Sequence, residues 1–253
     1  MHVVYALQCS KMARRRFFVD EVRSGQARIE GGEAHHLTRV LRVETGQKYE
    51  ISDNHDVYLA EVQAARKDLV TFSIVERLTP EEPLVQIALY VSLVRFERLE
   101  DLLEKATELG ISTFVPVQAE RSEKGLDRAA AKRMPRWQRI AREASEQSRR
   151  ASLPALEPSR SFREAITGAP GLRLMLDESP AARPILSALP SIRSKQDMVS
   201  LLIGPEGGWT DRERASAAAE TWLAVSLGPT ILKTETAAIG ALAVVNAAWQ
   251  AGS

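Results

Sequence analysis

The chain has 253 residues, 44% of them apolar, and a formal net charge of +1. That composition supports one large domain or two smaller ones with buried cores, and it excludes a disordered tail. Its single cysteine, Cys9, excludes an intrachain disulfide and fits a reducing, cytoplasmic location, and no apolar run of about eighteen residues marks a membrane span.

The first residues, Met1-His2-Val3-Val4-Tyr5-Ala6-Leu7, lack the basic stretch and cleavage site of a secretory leader. Met12 would serve equally well as a start, so residues 1–11 are expected to be a dispensable extension. From there to residue 79 the pattern is short strands with one helix. Residues 16–19 and 26–29 are extended, and 33–42 is helical, carrying His35, His36, Arg39 and Arg42. Residues 48–52, 56–62 and 69–78 are strand-like, with a turn at Asp53-Asn54, a pattern that suits a small β-barrel. Thr79-Pro80-Glu81-Glu82-Pro83 reads as a linker.

Beyond the linker, strands alternate with helices. Residues 85–94 are an apolar strand, and Leu99, Leu102, Leu103, Ala106 and Leu109 recur at helical spacing up to a capping Gly110. A strand at 113–118 precedes a long basic helix, 129–150, with a break expected near Pro135. Further strands fall at 172–176, 198–203 and 223–227. This alternation predicts a parallel sheet covered by helices on both faces. Twelve Lys and Arg against five Asp and Glu in residues 121–163, and eight against four in residues 11–42, make two basic segments. Such segments serve as solvated helix faces or as contacts for a polyanion.

Two loops carry the chemistry. Leu201-Leu202-Ile203 runs into Gly204-Pro205-Glu206-Gly207-Gly208, and Thr210 with Glu213 has the spacing of a capping box that starts a helix. Loops at the carboxyl ends of parallel strands are where ligands bind in open α/β sheets. No Gly-Lys-Ser/Thr follows, so this is not a phosphate loop. Backbone groups would meet the ligand, which suits an adenine ring with a sulfonium, although one such loop taken alone fits an ordinary turn better. Val225-Ser226-Leu227 repeats the arrangement with Gly228-Pro229-Thr230-Ile231-Leu232-Lys233-Thr234-Glu235-Thr236, and the two strands are expected to be neighbours. The helix expected over 236–249 is apolar nearly all round, so it belongs in a core or a subunit contact.

The stretches 201–208 (LLIGPEGG) and 227–237 (LGPTILKTETA) resemble the signatures of the RsmE family. These SPOUT-superfamily methyltransferases modify N3 of a uridine in 16S ribosomal RNA. Arg15-Arg16-Phe17-Phe18-Val19, His36 with Arg39 to Arg42, Lys105 with Glu108-Leu109-Gly110, Glu120-Arg121-Ser122, and Trp137 through Glu146-Gln147-Ser148 to Arg150 add to the likeness. The resemblance implies an α/β protein with an N-terminal PUA-like β-barrel at 12–79 and a C-terminal SPOUT domain at 84–253 with a parallel sheet and trefoil knot. It also implies a homodimer. The cofactor S-adenosylmethionine would be held by Leu176, Ile203, Gly204, Pro205, Glu206, Gly207, Gly208, Leu227, Gly228, Ile231, Leu232 and Thr236. RNA of the small ribosomal subunit would be gripped by Arg15, His36, Arg39, Arg42, Arg142 and Arg149. The family usually carries arginine where this chain has Thr230 and Lys233, and glycine where it has Arg149.

Uridine N3 carries a proton near neutral pH, so the enzyme must remove it or stabilise the uracil anion. Arg15, Arg16, Arg121, Arg150 and Lys233 are candidate cations, with Arg16 expected to stabilise the anion, and Glu206 and Glu235 are candidate carboxylates. Adjacent His35 and His36 point apart on a helix, so no metal site is expected. Two other functions fit the same residues: a non-catalytic ribosome-associated RNA-binding protein that keeps the fold, and a SPOUT methyltransferase acting on another RNA.

Overall fold

The computed structural model describes residues 15–252, so the expected extension at 1–11, with Cys9, lies outside the described residues. The chain divides into two compact units. One takes in the chain up to Glu81 together with Ser145–Leu153, and the other comprises Glu82–Ala144 and Pro154–Ser253.

The first unit is built on a mixed five-stranded sheet. Its strands are β1 (Arg16–Phe18), β2 (Gln26–Glu30), β3 (Lys48–Ser52), β4 (Val57–Arg66) and β5 (Leu69–Leu78), in the order β1-β3-β4-β5-β2. Only β1 and β3 run parallel; the other pairs are antiparallel. Register shifts in the β4–β5 pair at Leu59/Ala60 and Val62/Ala64 mark irregularities of the kind that bend a sheet toward a half-barrel. Phe17, Ile29, Leu37, Ile51, Val70 and Phe72 fill its core.

Helix α1 (Gly31–Arg39) is shorter than its apolar spacing predicts. It ends at Arg39 because the chain turns back there. Leu41 N bonds to His36 O, Val43 N bonds to Leu37 O, and Arg42 takes a left-handed φ of 52°. The Ser145–Leu153 segment of this unit is fastened to the sheet by charge: Arg16 donates through Nε and NH2 to Glu50 and through NH1 to the carbonyl of Arg149, while Arg149 NH2 reaches the other Glu50 oxygen. Burying Glu50 is tolerable only because two guanidiniums compensate it.

The second unit holds an eight-stranded sheet. Its strands are β6 (Gln86–Ser92), β7 (Thr113–Gln118), β8 (Ala155–Leu156), β9 (Arg160–Ser161), β10 (Leu172–Leu176), β11 (Arg183–Pro184), β12 (Met198–Ile203) and β13 (Leu223–Ser226). The order is β11-β13-β10-β12-β6-β7-β8, with β9 also on β7, and every pairing is parallel. Both faces are buried. Strand β6 sends Ile87, Leu89 and Val91 into one cluster and Ala88 and Tyr90 into another. That two-sided burial explains why these strands read as continuous apolar runs.

Helices α2 (Phe96–Glu108), α3 (Leu126–Gln147), α4 (Phe162–Thr167), α5 (Ile185–Ala188), α6 (Asp211–Ala219) and α7 (Thr234–Ala251) complete the chain. Contrary to expectation, α3 continues through Pro135. Ala130, Trp137, Ala141 and Ala144 are buried on both sides of the proline, so packing holds the helix across one lost hydrogen bond. It ends at Gln147, and Arg149 follows at a left-handed φ of 56°. Helix α7 does not bury itself all round. Ala238, Ala241, Leu242, Val245 and Trp249 face the core, whereas Ala243 and Ala247 are exposed.

Candidate active site

Three strands of the second unit end together. Strand β10 lies between β12 and β13, so the two glycine loops are not on neighbouring strands as the sequence suggested; they flank the end of a third. At this carboxyl edge lies a cleft, partly open to solvent, with a cavity volume of about 90 Å³. Its walls are Leu176, Ile203, Leu227, Leu232 and Ala237, with Gly204, Pro205, Gly208, Gly228, Ser226, Thr230 and Thr234 between them.

The first loop, residues 204–210, is fastened at several points. Buried Trp209 donates from Nε1 to the carbonyl of Leu176 at 2.8 Å, tying the loop to the end of β10. Gly204 lies under the Trp209 ring, where a Cβ would come within 3.1 Å of it. Arg121 NH1 donates to Gly207 O at 2.6 Å, and Glu206 pairs with Arg98. Thr210 and Glu213 cap each other at the start of α6, and the Glu213 carboxylate also accepts from the Glu120 backbone. The second loop, residues 227–233, is exposed from Gly228 to Lys233. The Thr234 hydroxyl, at its end, donates to Gly204 O at 3.0 Å.

Of the residues named for the cofactor, Leu176, Ile203, Gly204, Pro205, Gly208, Leu227, Gly228 and Leu232 line the cleft. Glu206, Gly207, Ile231 and Thr236 are not among its lining residues, and Ile231 is 82% exposed. Asp177, Glu178, Trp209, Ser226, Thr230, Thr234 and Ala237 join the lining without having been named for it. Trp209 carries a signal, an aromatic residue directly after a Gly-Gly pair at a strand end, and Thr230, Thr234 and Ala237 lie inside the second signature stretch; Asp177 and Glu178, just beyond β10, and Ser226, the last residue of β13, have no motif to mark them.

Among the candidate catalytic groups, Arg121, Lys233 and Glu235 belong to the second unit. Lys233 is the exposed N-cap of α7, and half-buried Glu235 has its Oε2 shielded with no hydrogen-bond partner. Arg16 and Arg150 belong to the first unit. Arg16 is only 8% exposed, and every nitrogen of its guanidinium already has a partner, which makes it a fastening for the sheet rather than a free cation. Burial lowers the Arg150 guanidinium to about 10. Of the residues named for RNA, Arg15, His36, Arg39 and Arg42 are exposed on the first unit, Arg149 is tied to Glu50, and Arg142 is half-buried on α3. Among the described residues no group of three or more His, Cys, Asp or Glu side chains could hold a metal ion, and no helix is long and apolar enough to cross a membrane.

The cleft suits a flat apolar ring lying between aliphatic walls, with a polar tail toward the mouth. Its lining includes two ionisable side chains, Asp177 and Glu178. Asp177 is neutralised by a two-point contact from Arg214 at 2.9 and 3.0 Å, and that contact raises the Arg214 guanidinium above its ordinary value.

The family of RNA methyltransferase domains matches residues 80–246, and the RNA methyltransferase PUA domain matches residues 29–75. The ribosomal RNA small subunit methyltransferase E of Bacillus subtilis is 34% identical over 228 residues, covering 86% of this chain and 88% of that protein. The chain belongs to the ribosomal RNA small subunit methyltransferase E family. Solved relatives agree in fold. The family member from Neisseria gonorrhoeae, bound to S-adenosylmethionine, matches with a TM-score of 0.84 at 30% identity, covering 93% of this chain and 98% of that one. A methyltransferase from Legionella pneumophila, in complex with the same cofactor, matches at 0.83 with the same identity and coverages. The family's RNA methyltransferase domain spans the whole edge where the cleft lies.

Proposed function

We propose that this protein transfers a methyl group from S-adenosylmethionine to N3 of a specific uridine of 16S ribosomal RNA in the small ribosomal subunit. The observation that carries the reading is the cleft itself: aliphatic walls and glycine loops at three parallel strand ends, within a chain that matches this family along most of its length. A neutral ring can lie against Leu176, Ile203 and Leu227, and Gly204 and Gly208 let backbone come close to it.

The bound cofactor supplies an activated methyl group on its sulfonium. The chain's residues must then hold the uracil and take its N3 proton. Glu235 suits the proton acceptor: it follows cleft-lining Thr234, and its Oε2 is shielded without a hydrogen-bond partner. Lys233 and Arg121 suit the role of cations for the uracil oxygens. Glu235→Gln should lower methyl transfer by roughly a hundredfold while leaving cofactor affinity within about twofold. The exposed bases of the first unit, Arg15, His36, Arg39 and Arg42, suit the RNA backbone, and that contact should weaken steeply with salt.

The same reading assigns residues 12–79 to a PUA-like domain and 84–253 to the methyltransferase domain, with a trefoil knot around the cleft and a cytoplasmic location. It pairs two copies of the chain, and the exposed small residues of α7, Ala243 and Ala247, suit such a contact. The test is transfer of a labelled methyl to small subunits, free 16S RNA and transfer RNA. A reverse-transcriptase stop at one uridine of 16S RNA is expected. Label only in transfer RNA would move the substrate, and label in none would leave an RNA-binding protein.

A further inference from the structure

Resting on that reading, we propose that Glu178 makes the cleft select the cationic cofactor over its neutral product, S-adenosylhomocysteine. Glu178 follows the end of β10 and lines the cleft beside Asp177. The two carboxylates differ in one respect. Asp177 is buried and held by Arg214, so its charge is spent inside the protein. Glu178 is exposed, and among the described residues its carboxylate has no hydrogen bond or ion pair.

The seat of this carboxylate is set by a glycine. Gly208 has a left-handed φ of 68°, and a Cβ there would lie 3.0 Å from Glu178 Oε1. The carboxylate therefore rests on the bare backbone of the first glycine loop, at the mouth of the cleft. It also borders a second hollow lined by Ser179, Pro180, Asp211, Arg214 and Ile231. Among the cleft's lining residues it is the one side chain with an uncompensated charge.

The cofactor and its product share the adenine, the ribose and the amino-acid tail. They differ by a methyl group and one positive charge on sulfur. A carboxylate left unneutralised at the cleft favours the ligand that carries the additional positive charge, and it need not touch the sulfur to do so, because the attraction acts through space. The consequence is a cleft that fills with cofactor and empties after transfer, when the positive charge is gone.

The test is calorimetric binding of both nucleosides to the full chain and to Glu178→Gln and Glu178→Lys, with thermal unfolding as the control for folding. The cofactor-over-product preference should fall about two- to fivefold in Glu178→Gln, the scale of an exposed charge pair, and further in Glu178→Lys. Added salt should shrink the preference of the unsubstituted chain but not that of Glu178→Gln. Equal weakening of both ligands would mean that the carboxylate reads groups they share, and would overturn the proposal. An unchanged preference would overturn it too. If the unsubstituted chain bound neither nucleoside, the methyltransferase reading itself would fail.

Discussion

The two loops of the cleft look alike in sequence and differ in how they are held. Both follow an apolar strand, both open on Gly-Pro, and both lead into a helix. Residues 204–210 are tied down by Trp209, Arg121, Glu206 and the Thr210–Glu213 cap. Residues 228–233 are all exposed. One wall of the cleft is thus preformed, and the other has room to settle on a ligand. Exposed segments with few buried contacts are drawn from the low-stability end of a fold, where binding can order them.

The largest effect should come from the fastened loop. Trp209→Ala removes a buried indole and its bond to Leu176, and should cost about 3–5 kcal/mol in urea unfolding. A loss under about 1 kcal/mol would show that the loop is not held as described. Gly208→Ala forces a side chain into a left-handed backbone and against Glu178, for a loss of about 1–2 kcal/mol read as a lower Tm. Thr210→Ala removes the cap of α6 and should cost about 1 kcal/mol. In the exposed loop, Ile231→Ser should change stability by less than about 0.5 kcal/mol. The same variant should weaken cofactor binding severalfold if the loop closes over the ligand; unchanged affinity would show that it stays open.

The sequence announced the loops but not their relation. Gly-Pro pairs after apolar runs mark strand ends, and the Thr210-x-x-Glu213 spacing marks a helix start, because both are local rules. The same spacing at Ser161 and Glu164 marks the start of α4. That β10 lies between β12 and β13 is a long-range fact with no local signal. The parallel sheet was legible because its longer strands, such as β6 and β12, are buried on both faces and mostly apolar. Strands of two residues, such as β8 and β9, carry too little pattern to be read. Arg16 was legible as a basic residue near the start of a strand, yet its fate is decided by Glu50 and by a segment more than a hundred residues away. Pro135 shows the converse: a local helix breaker overridden by buried residues on either side.

Hydrogen exchange of the full chain, with and without S-adenosylmethionine, tests most directly that one preformed and one adaptable loop make the cofactor site. The amides of Gly208 and Thr210, which donate to Pro205 O and to the Glu213 carboxylate, should exchange slowly in both states, whereas those of residues 227–233 should exchange quickly in the free protein and slow on binding. Equal protection of both loops in the free protein, or ligand protection confined to other parts of the chain, would contradict the account.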